Sequence, residues 1–215
     1  QVLRVNFDSQ ITRLDLVGKD VITLKDGKQI TEFKRGIIPF ALEKPITLVL
    51  DEYDAIRTDV SFVIQRLLEE EGKFALLEEN EILSPHQYFR LFATSNTIGM
   101  GDDLGIYHGT NLINQAQMDR WNIVATLNYL EEKKEIEILL KKLPFLAKKS
   151  NEHVANMMVK MASLTREGFR NGDLSNLMSL RTLISWGRNF EIFGSIKQAF
   201  ILSFVNKLID EEKVI

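Results

Sequence analysis

Ile46-Thr47-Leu48-Val49-Leu50-Asp51-Glu52 is the stretch on which the fold turns. Its first five residues are apolar or β-branched without alternation, the pattern of a strand covered on both faces. Strands of that kind belong to largely parallel sheets packed between helices. This one runs directly into two acids. Asp51 and Glu52 are thereby placed at the carboxyl edge of the sheet, where open α/β sheets bind ligands.

Working outward, residues 2–7 alternate like a strand, and residues 90–94 form another buried strand that ends in Ser95-Asn96. Residues 36–42 read as a short helix stopped by Pro45. Over residues 59–71, Val60, Val63, Ile64, Leu67 and Leu68 recur at helical spacing, and Gly72 closes that helix. Two hairpins interrupt the alternation. The first spans residues 20–33 with Asp26-Gly27 at its turn, where positive φ is needed, and the second spans residues 73–84. After Leu130 the pattern changes. Residues 131–142, 152–170, 179–189 and 193–207 all carry helical periodicity with no strand between them, and Pro144 breaks the series. The expected architecture is α/β, a three-layer core with a mostly parallel sheet over residues 1–142, followed by a small all-α domain over residues 143–215.

Composition narrows the function. Of 215 residues, 45% are hydrophobic and 27% charged, enough apolar material for a sizeable core. A formal net charge of −3 argues against general nucleic-acid binding, which needs a surplus of Lys and Arg. The absence of cysteine excludes disulfides, thiolate metal sites and cysteine nucleophiles, and fits a cytoplasmic protein. No apolar run approaches the roughly 18 to 20 residues that span a bilayer, so no membrane partner is expected.

Five positions carry candidate chemistry. At the sheet edge, Asp51 can support Mg²⁺ on bound phosphates, and Glu52 can polarise an attacking water as general base. Read alone, the pair is better described as solvated acids capping a strand. Asn96, after its own strand, can hold a water between acid and γ-phosphate; alone it is a turn residue. Arg120, in Gln117-Met118-Asp119-Arg120-Trp121, can reach a neighbouring subunit's γ-phosphate, or simply pair with a surface acid such as Asp119. Arg181, at the start of a helix in the second domain, can contact phosphate from above, or be an ordinary solvated arginine.

In this order and at these separations, the set resembles the layout of an AAA+ ATPase. The resemblance narrows further to the small ATPase subunit of aerobic cobaltochelatase, within the MoxR-like AAA+ group. It is carried by Asp15-Leu16-Val17-Gly18-Lys19-Asp20, Asp51-Glu52-Tyr53-Asp54-Ala55, Phe62-Val63-Ile64-Gln65-Arg66, Phe89-Arg90-Leu91-Phe92-Ala93-Thr94-Ser95-Asn96-Thr97, Gly105-Ile106-Tyr107-His108-Gly109-Thr110 and Ile113-Asn114-Gln115-Ala116-Gln117-Met118-Asp119-Arg120-Trp121. It covers most of residues 3–130 and weakens in the helical lid, where Ser179-Leu180-Arg181-Thr182 stands in place of an expected Ser-Pro-Arg-Thr. The resemblance implies ATP and Mg²⁺ as cofactors, with Asp51 on the metal, Glu52 on the water, Asn96 as first sensor, Arg120 as arginine finger and Arg181 as second sensor. It also implies a homo-oligomeric, hexameric ring working with a von Willebrand A-type partner and a large chelatase subunit that holds the corrin. A MoxR-like chaperone acting on another complex, or a non-catalytic interaction module, remain alternatives.

One departure is serious. An AAA+ ATPase needs G-x-x-x-x-G-K-[ST] to cradle phosphates. The pairs Gly18-Lys19, Gly27-Lys28 and Gly72-Lys73 are followed by Asp20, Gln29 and Phe74, and none fits. Residues 1–7 resemble the strand that follows the phosphate-loop helix, so the loop is expected to lie outside this chain. A homologue that does not hydrolyse is the alternative, and the intact acid pair argues against it. The histidines His86, His108 and His153 show no ligand spacing and are expected to be structural. Trp121, Trp186 and the Met157, Met158, Met161 group are expected to be packing residues.

Overall fold

In the computed structural model, which describes residues 1–97, 110–148 and 151–214, the chain enters on β1 (Val2–Asn6) and turns through α1 (Arg13–Leu16). It runs out and back along the hairpin of β2 (Gly18–Lys25) and β3 (Lys28–Arg35), then resumes as α2 (Ile37–Leu42) and crosses as β4 (Thr47–Asp51). There follow α3 (Thr58–Gln65), a second hairpin of β5 (Phe74–Leu76) and β6 (Glu81–Leu83), then β7 (Arg90–Ala93) and the short α4 (Gln115–Met118). The sheet order is β1-β4-β7, all parallel, with Leu48 between Leu3 and Leu91. The middle place explains the unbroken apolar run of β4: Leu48 and Leu50 are buried in a core with Phe7, Leu16, Leu42 and Ile64.

The strand at residues 90–94 departs from expectation. Leu91 and Ala93 are half-buried against the core, but Arg90 and Phe92 are exposed, Phe92 by 56%. Phe92 lies in register with Val49 and Arg4, on the sheet face opposite the core, and among the described residues that face is only partly covered. The long helix expected over residues 59–71 also ends early. It passes at Arg66 into a 3₁₀ turn, and Gly72 with φ 57° completes the reversal into β5.

The first hairpin is an insertion into a helical passage. Gly36 N donates to Val17 O at 2.8 Å, so the chain leaves and re-enters at one point. A Cβ at Gly36 would lie 2.6 Å from the Leu16 backbone, which only glycine avoids. At the far end Asp26 and Gly27 have φ of 52° and 74°, the two-residue reversal that Asp-Gly favours. Arg35 ties the two hairpins together. Its guanidinium bonds Glu43 at 3.1 Å, Glu79 at 2.5 Å and Glu81. The Glu79 carboxylate and the other two hold Arg35 firmly protonated, while Arg13 pairs with Glu78 at 2.8 Å. A network of this kind is worth more than isolated surface pairs but is still screened by salt. Arg35→Ala is therefore expected to lower the melting temperature by roughly 2 to 6 °C at low ionic strength. The difference should narrow in molar salt in a thermal scan, whereas an unchanged difference would mean the loss is one of packing alone.

The chain separates into two units, Gln1–Val124 and Ala125–Ile215, so the division falls before α5 (Glu132–Lys142) and not at Lys142–Pro144. Pro144 breaks a helix inside the second unit without ending a domain, because Leu139, Leu143 and Leu146 all bury into the same second core. That unit continues with α6 (Glu152–Asn171), α7 (Leu180–Phe193) and α8 (Ile196–Ser203). Gly172 and Gly194 close α6 and α7 with φ of 82° and 69°, while Ser179 and Ser195 cap α7 and α8 by accepting the Thr182 and Gln198 amides. The helix expected to begin at Phe193 begins after Gly194 instead, with Phe193 in the last turn of α7. Trp186 and Met158 are buried in this core, but Met157 and Met161 are exposed by 44% and 37%, since only one face of α6 meets its neighbours. Among the described residues no helix is long and apolar enough to cross a membrane.

Candidate active site

Asp51 is the last residue of β4, paired in register with Asn6. Its carboxylate accepts from the Thr94 hydroxyl through Oδ1 and from the Arg4 guanidinium through Oδ2. Both partners come from flanking strands. Arg4 lies two residues before Asn6, on the same face of β1 as Asp51's neighbour and within reach of a long side chain. The Thr94 hydroxyl first, then the Arg4 guanidinium, hold the Asp51 carboxyl below its ordinary value of 3.8. It is therefore fully ionised at neutral pH. An ionised, largely buried oxygen donor at a sheet edge fits Mg²⁺, which is commonly held by one or two carboxylates plus phosphates and water. The residues present thus suit the metal.

Glu52 takes the left-handed conformation, φ 56° and ψ 46°. That region costs an L-residue without a special local bond about 1–2 kcal/mol, and such strain concentrates at functional turns. The reversal converts an extended strand into the 3₁₀ turn Tyr53–Ala55 and leaves Glu52 exposed at the sheet edge. The strand pairing also runs on past the strands: Thr94 N donates to Leu50 O at 2.9 Å, and Tyr53 N donates to Thr94 O at 2.8 Å. Asn96 follows on that second turn, itself exposed, with its backbone N donating to Asp54 Oδ2 at 3.0 Å. The structure therefore brings Asp51, Glu52 and Asn96 onto two adjoining turns.

Arg120 stands just beyond α4 and is half-buried. Its guanidinium donates to the Ala116 carbonyl on its own helix, and it forms no ion pair with Asp119. The helix is anchored on both sides. Gln117, buried, donates from Nε2 to Ser61 Oγ at 3.0 Å, and Trp121 meets Tyr53 edge-on with ring centroids 5.5 Å apart. Burial pushes the Tyr53 phenol up to about 12, so it stays protonated beneath the acid turn. Arg181 belongs to the second unit, where it is the exposed second residue of α7.

Sequence reasoning missed Arg4, Thr94, Asp54 and Gln117 as parts of this arrangement. Thr94 was legible as a strand end, but its bond to Asp51 depends on the β4–β7 register. His86 accepts the Tyr88 amide on Nδ1 at 3.1 Å, a turn contact. The resemblance stretch Gly105-Ile106-Tyr107-His108-Gly109 lies outside the described residues.

Against this geometry the similarities are specific. Residues 144–215 match the family described as CbbQ/NirQ/NorQ C-terminal. The chain is 55% identical over 214 residues to aerobic cobaltochelatase subunit CobS of Sinorhizobium sp, covering 99% of this chain and 64% of that protein. Midasin of Dictyostelium discoideum is 26% identical over 198 residues, 89% of this chain and 3% of its own length. Among solved structures, a point variant of Thermotoga maritima RuvB superposes with a TM-score of 0.49 at 14% identity, over 82% of this chain and 50% of that one. The chain thus spans a little under two thirds of its cobaltochelatase relative. It is similar over nearly its whole length to aerobic cobaltochelatase subunit CobS, and is built as an α/β unit followed by a helical unit whose residues 144–215 match the CbbQ/NirQ/NorQ C-terminal family.

Proposed function

We propose that this chain is part of the ATP-hydrolysing motor subunit of a cobaltochelatase-type complex, which drives cobalt insertion into a corrin ring. The observation that carries the reading is the acid pair itself: Asp51 held ionised beside a left-handed Glu52, on a turn hydrogen-bonded to that of Asn96. Asp51 would hold the Mg²⁺, which would neutralise phosphate charge. Glu52 accepts the proton of the attacking water, and the Asn96 amide orients that water against the γ-phosphate. Arg120 leaves its resting contact on Ala116 to reach the phosphate of the next subunit, and Arg181 contributes from the helical unit. The ring is homo-oligomeric and hexameric, and its partners are a von Willebrand A-type subunit and the large corrin-holding subunit.

The test lies in mixed rings of the full-length protein. A finger acts across a heterologous contact, one face presenting the arginine and the other the nucleotide. Arg120→Ala is expected to abolish hydrolysis with nucleotide affinity nearly intact. Mixing it with an Asp51→Ala, Glu52→Gln double variant should restore activity, since only mixed rings contain junctions with an intact site facing an intact finger. Normal hydrolysis by assembled Arg120→Ala rings would remove the finger role, and nucleotide-independent behaviour of every variant would remove the motor reading.

A further inference from the structure

Asp54 has no role in the scheme above, yet it is the most completely enclosed acid at the site, with no exposed surface. It sits in the 3₁₀ turn directly after Glu52. Its Oδ2 accepts from Asn96 N at 3.0 Å, from Thr97 N at 2.8 Å and from Thr97 Oγ1 at 3.0 Å. Its own backbone carbonyl accepts from Asn111 N at 2.7 Å, and the Asn111 amide reaches the carbonyls of Ala55 and Ile56 at 3.3 and 3.0 Å. A buried carboxylate costs folding energy unless it is paired, and here its partners are two backbone amides and the Thr97 hydroxyl of one short loop. Hydrogen bonds to an ionised acceptor are about twice as strong as neutral ones. One charge therefore fixes the backbone of a turn that would otherwise be an exposed loop on a strand end.

We infer that Asp54 is a positioning residue: its carboxylate locks the Asn96–Thr97 backbone to the turn that bears Glu52, so that the general base and the water-orienting amide keep one fixed separation. The inference rests on the nucleotide-site reading, but the clamp itself does not. Glu52 and Asp54 share a turn two residues apart, while Asn96 arrives from another strand; Glu52 N and Tyr53 N bond Thr94, and Asp54 adds the bonds that reach Asn96 and Thr97 themselves. Misplacement by about 1 Å can cost 10²-fold in rate without loss of binding.

The experiment uses the full-length protein and two variants. Asp54→Asn keeps the shape and one acceptor oxygen but removes the charge; Asp54→Ala removes the acceptor. Amide exchange at Asn96 and Thr97 is expected to accelerate about tenfold in Asp54→Asn and further in Asp54→Ala, matching the loss of one or more hydrogen bonds. For ATP hydrolysis, kcat should fall about 10- to 100-fold in Asp54→Asn and more in Asp54→Ala, with KM for ATP within about twofold of wild type. A purely structural residue would lower the folded fraction and leave the kcat of the folded remainder unchanged. Wild-type exchange at Asn96 and Thr97 in Asp54→Asn overturns the clamp. Accelerated exchange with unchanged kcat overturns its positioning role. Absence of ATP turnover by the wild-type protein defeats the motor reading instead, and exchange alone then decides whether Asp54 holds the loop.

Discussion

Glu52→Gln in the full-length protein is expected to slow ATP hydrolysis by roughly 10²-fold or more, with Mg²⁺–ATP still bound. The substitution preserves the length and shape of the side chain and removes its capacity to take a proton. Asp51 is untouched, and its partners Thr94 and Arg4 do not depend on Glu52's carboxylate. Nucleotide affinity should therefore survive. The left-handed backbone at Glu52 is supported by the bonds of Tyr53 and Ala55, so glutamine inherits the same turn. Single-turnover hydrolysis together with equilibrium binding separates the two effects. Unchanged turnover would return Glu52 to the role of a solvated strand cap. A parallel loss of binding would place it on the metal instead.

Arg166→Ala is expected to destabilise the helical unit by about 3–5 kcal/mol, the usual cost of breaking a buried ion pair by removing one partner. Arg166 and Glu135 are 6% and 1% exposed and meet through Nη1 and Oε2 at 3.0 Å. Arg166 Nε also donates to Met178 O at 2.8 Å, and the guanidinium carbon lies 4.1 Å over the Tyr129 ring. Removing the guanidinium strands a carboxylate in the interior, unties the Met178 carbonyl and opens a void beside an aromatic ring. Replacing both partners by apolar residues, Glu135→Leu with Arg166→Met, should recover most of the loss, because neither charge then has to be desolvated. Denaturant unfolding of wild type, Arg166→Met, Glu135→Leu and the double variant gives the cycle, with Arg166→Ala measured beside it. A loss under about 1 kcal/mol for Arg166→Ala would mean that water reaches Glu135 and that the pair behaves as a surface one.

The two predictions draw on different parts of what the sequence made legible. The acid pair was visible because β4 is a strand without polar interruption, and its end is read from local pattern alone. The Arg166–Glu135 pair was not visible, since each residue sits in a helix whose period marks most charges as solvent-facing. Only the packing of α5 against α6 turns both inward. The same limit moved the unit boundary from Pro144 to Val124, because a proline reports where a helix stops and not which core its neighbours join.

By itself the sequence determined the order of the strands and of the longer helices, the two hairpins, the first with its Asp-Gly reversal, and the positions of Asp51, Glu52 and Asn96 at strand ends. These follow from periodicity and turn chemistry, which act over a few neighbouring residues. Tertiary structure alone decided that Arg4 and Thr94 hold Asp51, across 47 and 43 residues of chain, and that Asp54 holds the Asn96 turn across 42. It also decided that Phe92 stays exposed. Those facts depend on strand register and on which face is covered. Hydrophobic pattern selects a face, but it carries no information about which polar group from a distant segment will arrive beside a given carboxylate.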